Sequence, residues 1–114
     1  EGHREFSTAA HHPNTPSKKL PKIEYTSASL HTKGLASWEF GKIEVRAKLP
    51  KGQGVWPAIW TLGVNIPQVG WPSCGEIDIM EFVGKAPEEI HGNTHFHQHG
   101  KHASDHKTCK TKDI

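Results

Sequence analysis

Glu76-Ile77-Asp78-Ile79-Met80-Glu81-Phe82-Val83 sets three carboxylates within six residues of an otherwise apolar run, a load that buried strands do not normally carry. Strict alternation would place Glu76, Asp78 and Met80 on one face and Ile77, Ile79 and Glu81 on the other, driving Glu81 into the core beside two isoleucines. One extra residue at Met80, a β-bulge, repairs both faces. Glu76, Asp78 and Glu81 then share a polar side, while Ile77, Ile79 and Phe82 share an apolar one. With the bulge, Glu76 and Glu81 stand about four strand steps apart, roughly 13 Å between backbone positions at ~3.3 Å per residue. Two glutamates leaning inward over Asp78 can bring their carboxyls to the ~5 to 5.5 Å that retaining glycoside hydrolysis requires, one as nucleophile and one as acid/base. Like charges that close favour one ionised and one protonated partner, and Asp78 between them is suited to hydrogen-bond the nucleophile and tune it. The alternative for the same oxygens is a solvated acidic edge or a calcium site.

The neighbouring aromatics separate those alternatives. Sugar faces need flat apolar platforms beside polar groups for hydroxyls, and Trp71 lies five residues before Glu76. Trp56 and Trp60 share one face of the run 55–62, where core packing is as good an account as a platform. Trp38 has only a core reading. A plain calcium site needs no tryptophan.

Working outward, residues 40–49 alternate as a half-buried strand, with Ile43, Val45, Ala47 and Leu49 on one face and Lys42, Glu44, Arg46 and Lys48 on the other. Pro50-Lys51-Gly52-Gln53-Gly54 is turn chemistry. The run 55–62 follows as a strand whose Pro57 argues for an edge or irregular position. Residues 75–83 give a third strand and 90–97 a fourth. No segment has a helical period, so the class is all-β, with Gly/Pro turns favouring a sandwich or jelly roll. Residues 1–22 carry few apolar side chains and no period, and read as an extended arm or loop apart from the domain at 23–114.

The chain has 114 residues, 14 basic and 12 acidic side chains and a net charge of +2. That is at most one domain, and too balanced in charge for a nucleic-acid partner. No run of about 18 apolar residues suggests a membrane helix, and the first residues lack the pattern of a signal peptide. Cys74 and Cys109 could close one disulfide or remain two free thiols.

Together these stretches resemble the bulged, laminarinase-like branch of glycoside hydrolase family 16, the endo-β-1,3-glucanases. The heptad Gly75-Glu76-Ile77-Asp78-Ile79-Met80-Glu81 carries the likeness. It is joined in order and spacing by Tyr25-Thr26-Ser27-Ala28, residues 40–50, Gly54-Val55-Trp56-Pro57-Ala58-Ile59-Trp60, Trp71-Pro72 and His91-Gly92-Asn93-Thr94-His95. The resemblance implies a β-jelly-roll with a concave substrate cleft, a β-glucan substrate and no cofactor for catalysis, with a structural calcium left open. It implies Glu76 as nucleophile, Glu81 as acid/base and Asp78 as the assisting carboxylate. It also implies Trp71 as a wall of the site, Arg46 and His95 as polar cleft residues, and Trp60 and Trp56 as further substrate contacts. Such an enzyme is expected to be extracellular, its signal peptide absent from this chain.

A jelly roll of this family is about twice as long, so the expectation is that roughly half of the fold is present and that the other half is a partner of this one. After Phe96 the pattern leaves the family. On a strand His95, His97 and His99 would share a face able to hold zinc or nickel, and His102, His106 and Cys109 could add ligands, which makes a histidine-rich metal-binding module one alternative. A non-catalytic glucan-binding remnant is the other, although both Glu76 and Glu81 are present.

Overall fold

The computed structural model describes residues 27–113. The chain divides into two compact units, Glu1–Trp38 and Glu39–Ile114. The expected arm at 1–22 lies outside the described residues, as do Tyr25 and Thr26. What is described of the first unit contains one tight turn, in which the Leu35 and Ala36 amides both donate to the Thr32 carbonyl at 2.8 and 3.0 Å. Trp38 ends that unit 71% exposed, so the core position expected for it is not realised.

The second unit holds a four-stranded antiparallel sheet in the order β1-β2-β3-β4. The strands are β1 (Ala58–Leu62), β2 (Glu76–Glu81), β3 (Glu89–Gln98) and β4 (Lys101–Lys110). The only helices among the described residues are α1 (Ile66–Val69), in the β1–β2 connection, and a 3₁₀ turn at Thr111–Asp113. The class is all-β, as the periodicity requires. Pro57 stands just before β1, and β1 is at the sheet margin, where a missing N–H costs no ladder bond. Pro57 still serves as an acceptor: Phe82 N–H donates to its carbonyl at 3.1 Å and Gly84 N–H to the Val55 carbonyl at 3.0 Å, prolonging the β1–β2 contact beyond both strands. Gly84 is obligatory there, because a Cβ would meet the Gly52 carbonyl oxygen at 1.9 Å.

The bulge is present. On the β1 side Ile59 faces Met80 and Trp60 faces Asp78, so Ile79 has no partner. On the β3 side Asp78 faces Asn93 and Glu81 faces His91, so Ile79 and Met80 together oppose Gly92 alone. Two residues against one is the definition of the irregularity, and it returns Glu81 to the face of Glu76 and Asp78. The opposite face carries the core, which among the described residues consists of Phe82 and Ile90.

Residues 40–49 depart from expectation. They join no ladder, and Ile43 and Val45 are 51% and 54% exposed. Their alternation survives locally, since Lys42 Nζ and Glu44 Oε1, two residues apart on one side, meet at 2.8 Å. A strand needs partners for its backbone groups as well as a two-faced pattern, and no backbone hydrogen bond reaches this segment among the described residues.

The expected fourth strand is longer than its apolar pattern suggests, and it is followed by one the pattern did not mark. β3 and β4 form a hairpin of ten registered pairs from Glu89 opposite Lys110 to Gln98 opposite Lys101. His99 and Gly100 close it with φ of 50° and 77°, positive at both central residues as a type I′ turn requires. Lys110 Nζ and Glu89 Oε1 pin its open end at 2.7 Å. Cys74 and Cys109 are free thiols.

Candidate active site

Register alone fixes which side chains share the carboxylate face. β1 offers Ala58, Trp60 and Leu62; β2 offers Glu76, Asp78 and Glu81; β3 offers His91, Asn93 and His95. An open groove of about 240 Å³ lies over this face, lined by Trp56, Ala58, Trp60, Glu76, Asp78 and Glu81.

Each glutamate is held by an indole. Trp56 Nε1 donates to Glu81 Oε1 at 3.0 Å, and Trp71 Nε1 donates to Glu76 Oε2. Asn93 Nδ2, from the neighbouring strand, donates to the second oxygen of Glu81. Such bonds to ionisable oxygens are stronger than neutral ones and fix the carboxyl planes. Trp71 reaches Glu76 from the β1–β2 connection, where Gly63 N–H bonds the Gly75 carbonyl at 3.2 Å and draws the two ends of the loop together. A Cβ on Gly63 would meet the Cys74 carbonyl oxygen at 2.0 Å, so glycine is what permits that closure.

Asp78 is 6% exposed, the one buried acidic side chain among the described residues. Burial pushes its carboxyl above the ordinary range; the neighbouring Glu76 carboxyl acts in the same direction, and His95 opposes both. His95 Nε2 lies 3.3 Å from Asp78 Oδ2. On its other side His95 Nδ1 meets His102 Nε2 at 3.0 Å. Trp71, His95 and His102 form a tilted aromatic cluster, with ring centroids 4.6 Å apart for Trp71–His102 and 6.0 Å for Trp71–His95.

The structure thus gathers Glu76, Asp78, Glu81, Trp56 and Trp60 along one groove, with Trp71 bonded to Glu76 and His95 beside Asp78. Arg46 is not among them: it is exposed, on the unpaired segment, with no hydrogen bond or ion pair among the described residues. Asn93 and His102 join the site in roles the sequence did not assign them, Asn93 having stood only within the 91–95 motif and His102 only as a candidate metal ligand. Asn93 was visible in principle, as the residue between Gly92 and Thr94 on the alternate face of a strand beside the bulge. His102 was not, because β4 lacks apolar alternation. The described residues contain no group of three histidine, cysteine or acidic side chains arranged to hold a metal ion.

Paired glutamates astride a buried aspartate, on a β-sheet and beside indole faces, are the arrangement of two-carboxylate glycoside hydrolases. The pattern of Glycosyl hydrolases family 16 matches residues 4–113, and the chain belongs to that family. The match takes in most of residues 1–22 and the segment after Phe96, both left outside by motif reading. A β-glucanase of Rhodothermus marinus is 54% identical over 74 residues, covering 63% of this chain and 26% of that protein. A glucan endo-1,3-β-glucosidase of Cryptopygus antarcticus is 50% identical over 76 residues, covering 67% and 27%. The chain therefore spans about a quarter of the length of these relatives. Among solved structures, a non-specific endo-β-1,3(4)-glucanase co-crystallised with 1,3-β-D-cellotriosyl-glucose superposes with a TM-score of 0.63 at 44% identity, over 70% of this chain and 31% of that one.

Proposed function

We propose that this chain carries the reacting groups of a secreted, endo-acting, retaining glycoside hydrolase that cleaves β-1,3 linkages in laminarin-type or mixed-linkage β-glucans. The observation that carries the reading is the bulge, which brings Glu76, Asp78 and Glu81 to one face of one groove with an indole N–H on each glutamate. Glu76 attacks the anomeric carbon while Glu81 gives its proton to the departing glycosidic oxygen, so the C–O bond breaks as the glycosyl ester forms. Glu81, now ionised, takes a proton from water, whose oxygen displaces Glu76 and restores the starting configuration. Two inversions give net retention.

Asp78 acts on the nucleophile from the neighbouring cleft-facing position. Its burial and its place beside Glu76 make it responsive to the charge of that group. Trp71 orients Glu76 through its N–H while its ring packs on His95 and His102; Trp56 orients Glu81 and lines the groove, and Trp60 supplies a further apolar face. His95 supports Asp78. A polymeric substrate meets its enzyme outside the cell, which is the ground for secretion.

The test uses laminarin and reducing-sugar release by the wild type, Glu76→Gln and Glu81→Gln. Gln keeps the size of each side chain and removes its charge and proton. Glu81→Gln should lose on the order of 10² to 10⁴ in rate, and Glu76→Gln should lose turnover altogether. Proton NMR of the first-formed anomer should show retention. Inverted product, or near-normal turnover by Glu76→Gln, sinks the assignment.

A further inference from the structure

Among the described residues, the one that touches both supports of the carboxylate cluster lies outside the cluster, on β4. His102 Nε2 is 3.0 Å from His95 Nδ1, and the other nitrogen of His95 is 3.3 Å from Asp78 Oδ2. The ring of His102 is also packed 4.6 Å from that of Trp71, whose N–H is on Glu76. Resting on the hydrolase reading above, we propose that His102 is a positioning residue, which fixes the tautomer and ring plane of His95 and thereby the carboxylate of Asp78.

The chemistry is constrained by what each atom can do. An ionised Asp78 only accepts, so His95 Nε2 carries the proton between them. A neutral His95 then presents a bare Nδ1, and His102 Nε2–H is the donor that satisfies it. Without that donor, His95 is free to exchange tautomers, and the form protonated at Nδ1 would set a lone pair against the Asp78 carboxylate. The groups around His102 come from three elements. β3 presents His95, with His97 as the cross-strand partner, while β4 itself adds Ser104 two residues on and the loop presents the Trp71 ring.

The hairpin geometry explains how a residue on the margin of the sheet reaches the centre of the site. His102 pairs in register with His97, so it shares a face with His95, and the type I′ turn at His99-Gly100 sets that register. A slip of that register by one residue would carry His102 to the other face.

The experiment compares the full chain with His102→Phe and His102→Gln. Phe keeps an aromatic ring against Trp71 and removes the hydrogen bond; Gln can return an N–H donor to His95. Ring ¹⁵N shifts of His95 at neutral pH should show a bare Nδ1 in the wild type, a mixture of tautomers in His102→Phe, and recovery in His102→Gln. On laminarin, kcat should fall about tenfold in His102→Phe, the scale of one lost hydrogen bond, with KM within about twofold, and should recover in His102→Gln. In a chain that turns over laminarin, unchanged kcat in His102→Phe, or equal loss in both variants, overturns the proposal. A wild type that releases no sugar refutes the hydrolase reading instead, and the ¹⁵N comparison then decides alone: identical His95 signals in wild type and His102→Phe overturn the positioning role.

Discussion

Deleting Met80 should leave the candidate site assembled. Counted along β2, the deletion makes Glu81 the fifth residue from Glu76, so plain alternation now places Glu76, Asp78 and Glu81 on one face without any bulge. The neighbours are prepared for this. Asp78 already faces Trp60 on one side and Asn93 on the other, and Glu81 faces Ala58 and His91. Only two positions of β1 and β3 separate those pairs, so a single residue, Ile79, fills the gap opposite Ile59 and Gly92. The bonds from Trp56 and Asn93 to Glu81 survive. What is lost is a half-buried methionine side chain, about 1 kcal/mol for partial burial of a group that contributes roughly 1.5 to 3 kcal/mol when fully buried. A domain of this size should then melt roughly 4 to 8 °C lower. Deleting Ile77 is the contrasting change. It turns Glu76 to the other face and away from Trp71, losing a hydrogen bond to an ionisable oxygen worth about 1.5 to 3 kcal/mol. Burial adds little, because that face is open at Ile77, which is 55% exposed. The assay is thermal unfolding by circular dichroism together with the indole N–H resonances of Trp56 and Trp71. Both resonances should persist without Met80, and that of Trp71 should move without Ile77. If losing Met80 destabilises as much as losing Ile77, or displaces the Trp56 signal as Glu81→Ala does, the account of the bulge as a correction of parity is refuted.

Asp78 has a folded-state titration raised above its unfolded one, so the folded chain holds this proton more tightly, and stability falls as pH rises from the ordinary carboxylate range through the raised titration. Asp78→Asn should flatten that slope in pH-dependent melting and stabilise the chain at neutral pH while reducing laminarin hydrolysis. Trp71→Phe removes the N–H on Glu76 and keeps an aromatic wall, so kcat should drop about tenfold, the scale of one hydrogen bond, with little change in KM. Gly84→Ala forces a Cβ to 1.9 Å from a backbone oxygen and should destabilise by about 1 to 3 kcal/mol as an overpacked site, read from the chemical-denaturation midpoint. Thiol titration of the native chain should find Cys109 reacting faster than the half-buried Cys74.

The bulge was legible because two independent requirements, charge on one side and apolar residues on the other, fail together in a regular strand and recover together with one insertion. Pro57 likewise announced a margin. Residues 40–49 misled for the complementary reason: their alternation is real, but a strand also needs a pairing partner, and the lack of one among the described residues leaves no trace in the segment itself. β4 escaped because Lys101–Lys110 is polar toward both sides, with only Ala103 partly covered, and its turn is His-Gly, a weaker signal than Asn-Gly. Trp56 and Trp60 could not be divided between core and groove by spacing. The hydrogen bond to Glu81 and the exposure of both rings assign them to the groove.

The two margins of the described sheet answer differently to the risk of meeting another chain. An open strand offers unpaired N–H and C=O groups as a template for aggregation. β1 is five residues long and entered through a proline, which gives a stray strand little to grip. β4 is twice that length and almost wholly exposed, and its protection is charge: Lys101, Lys107 and Lys110 stand along it against the single acidic Asp105. Neutralising those three lysines should cost the chain its colloidal stability before it costs the fold.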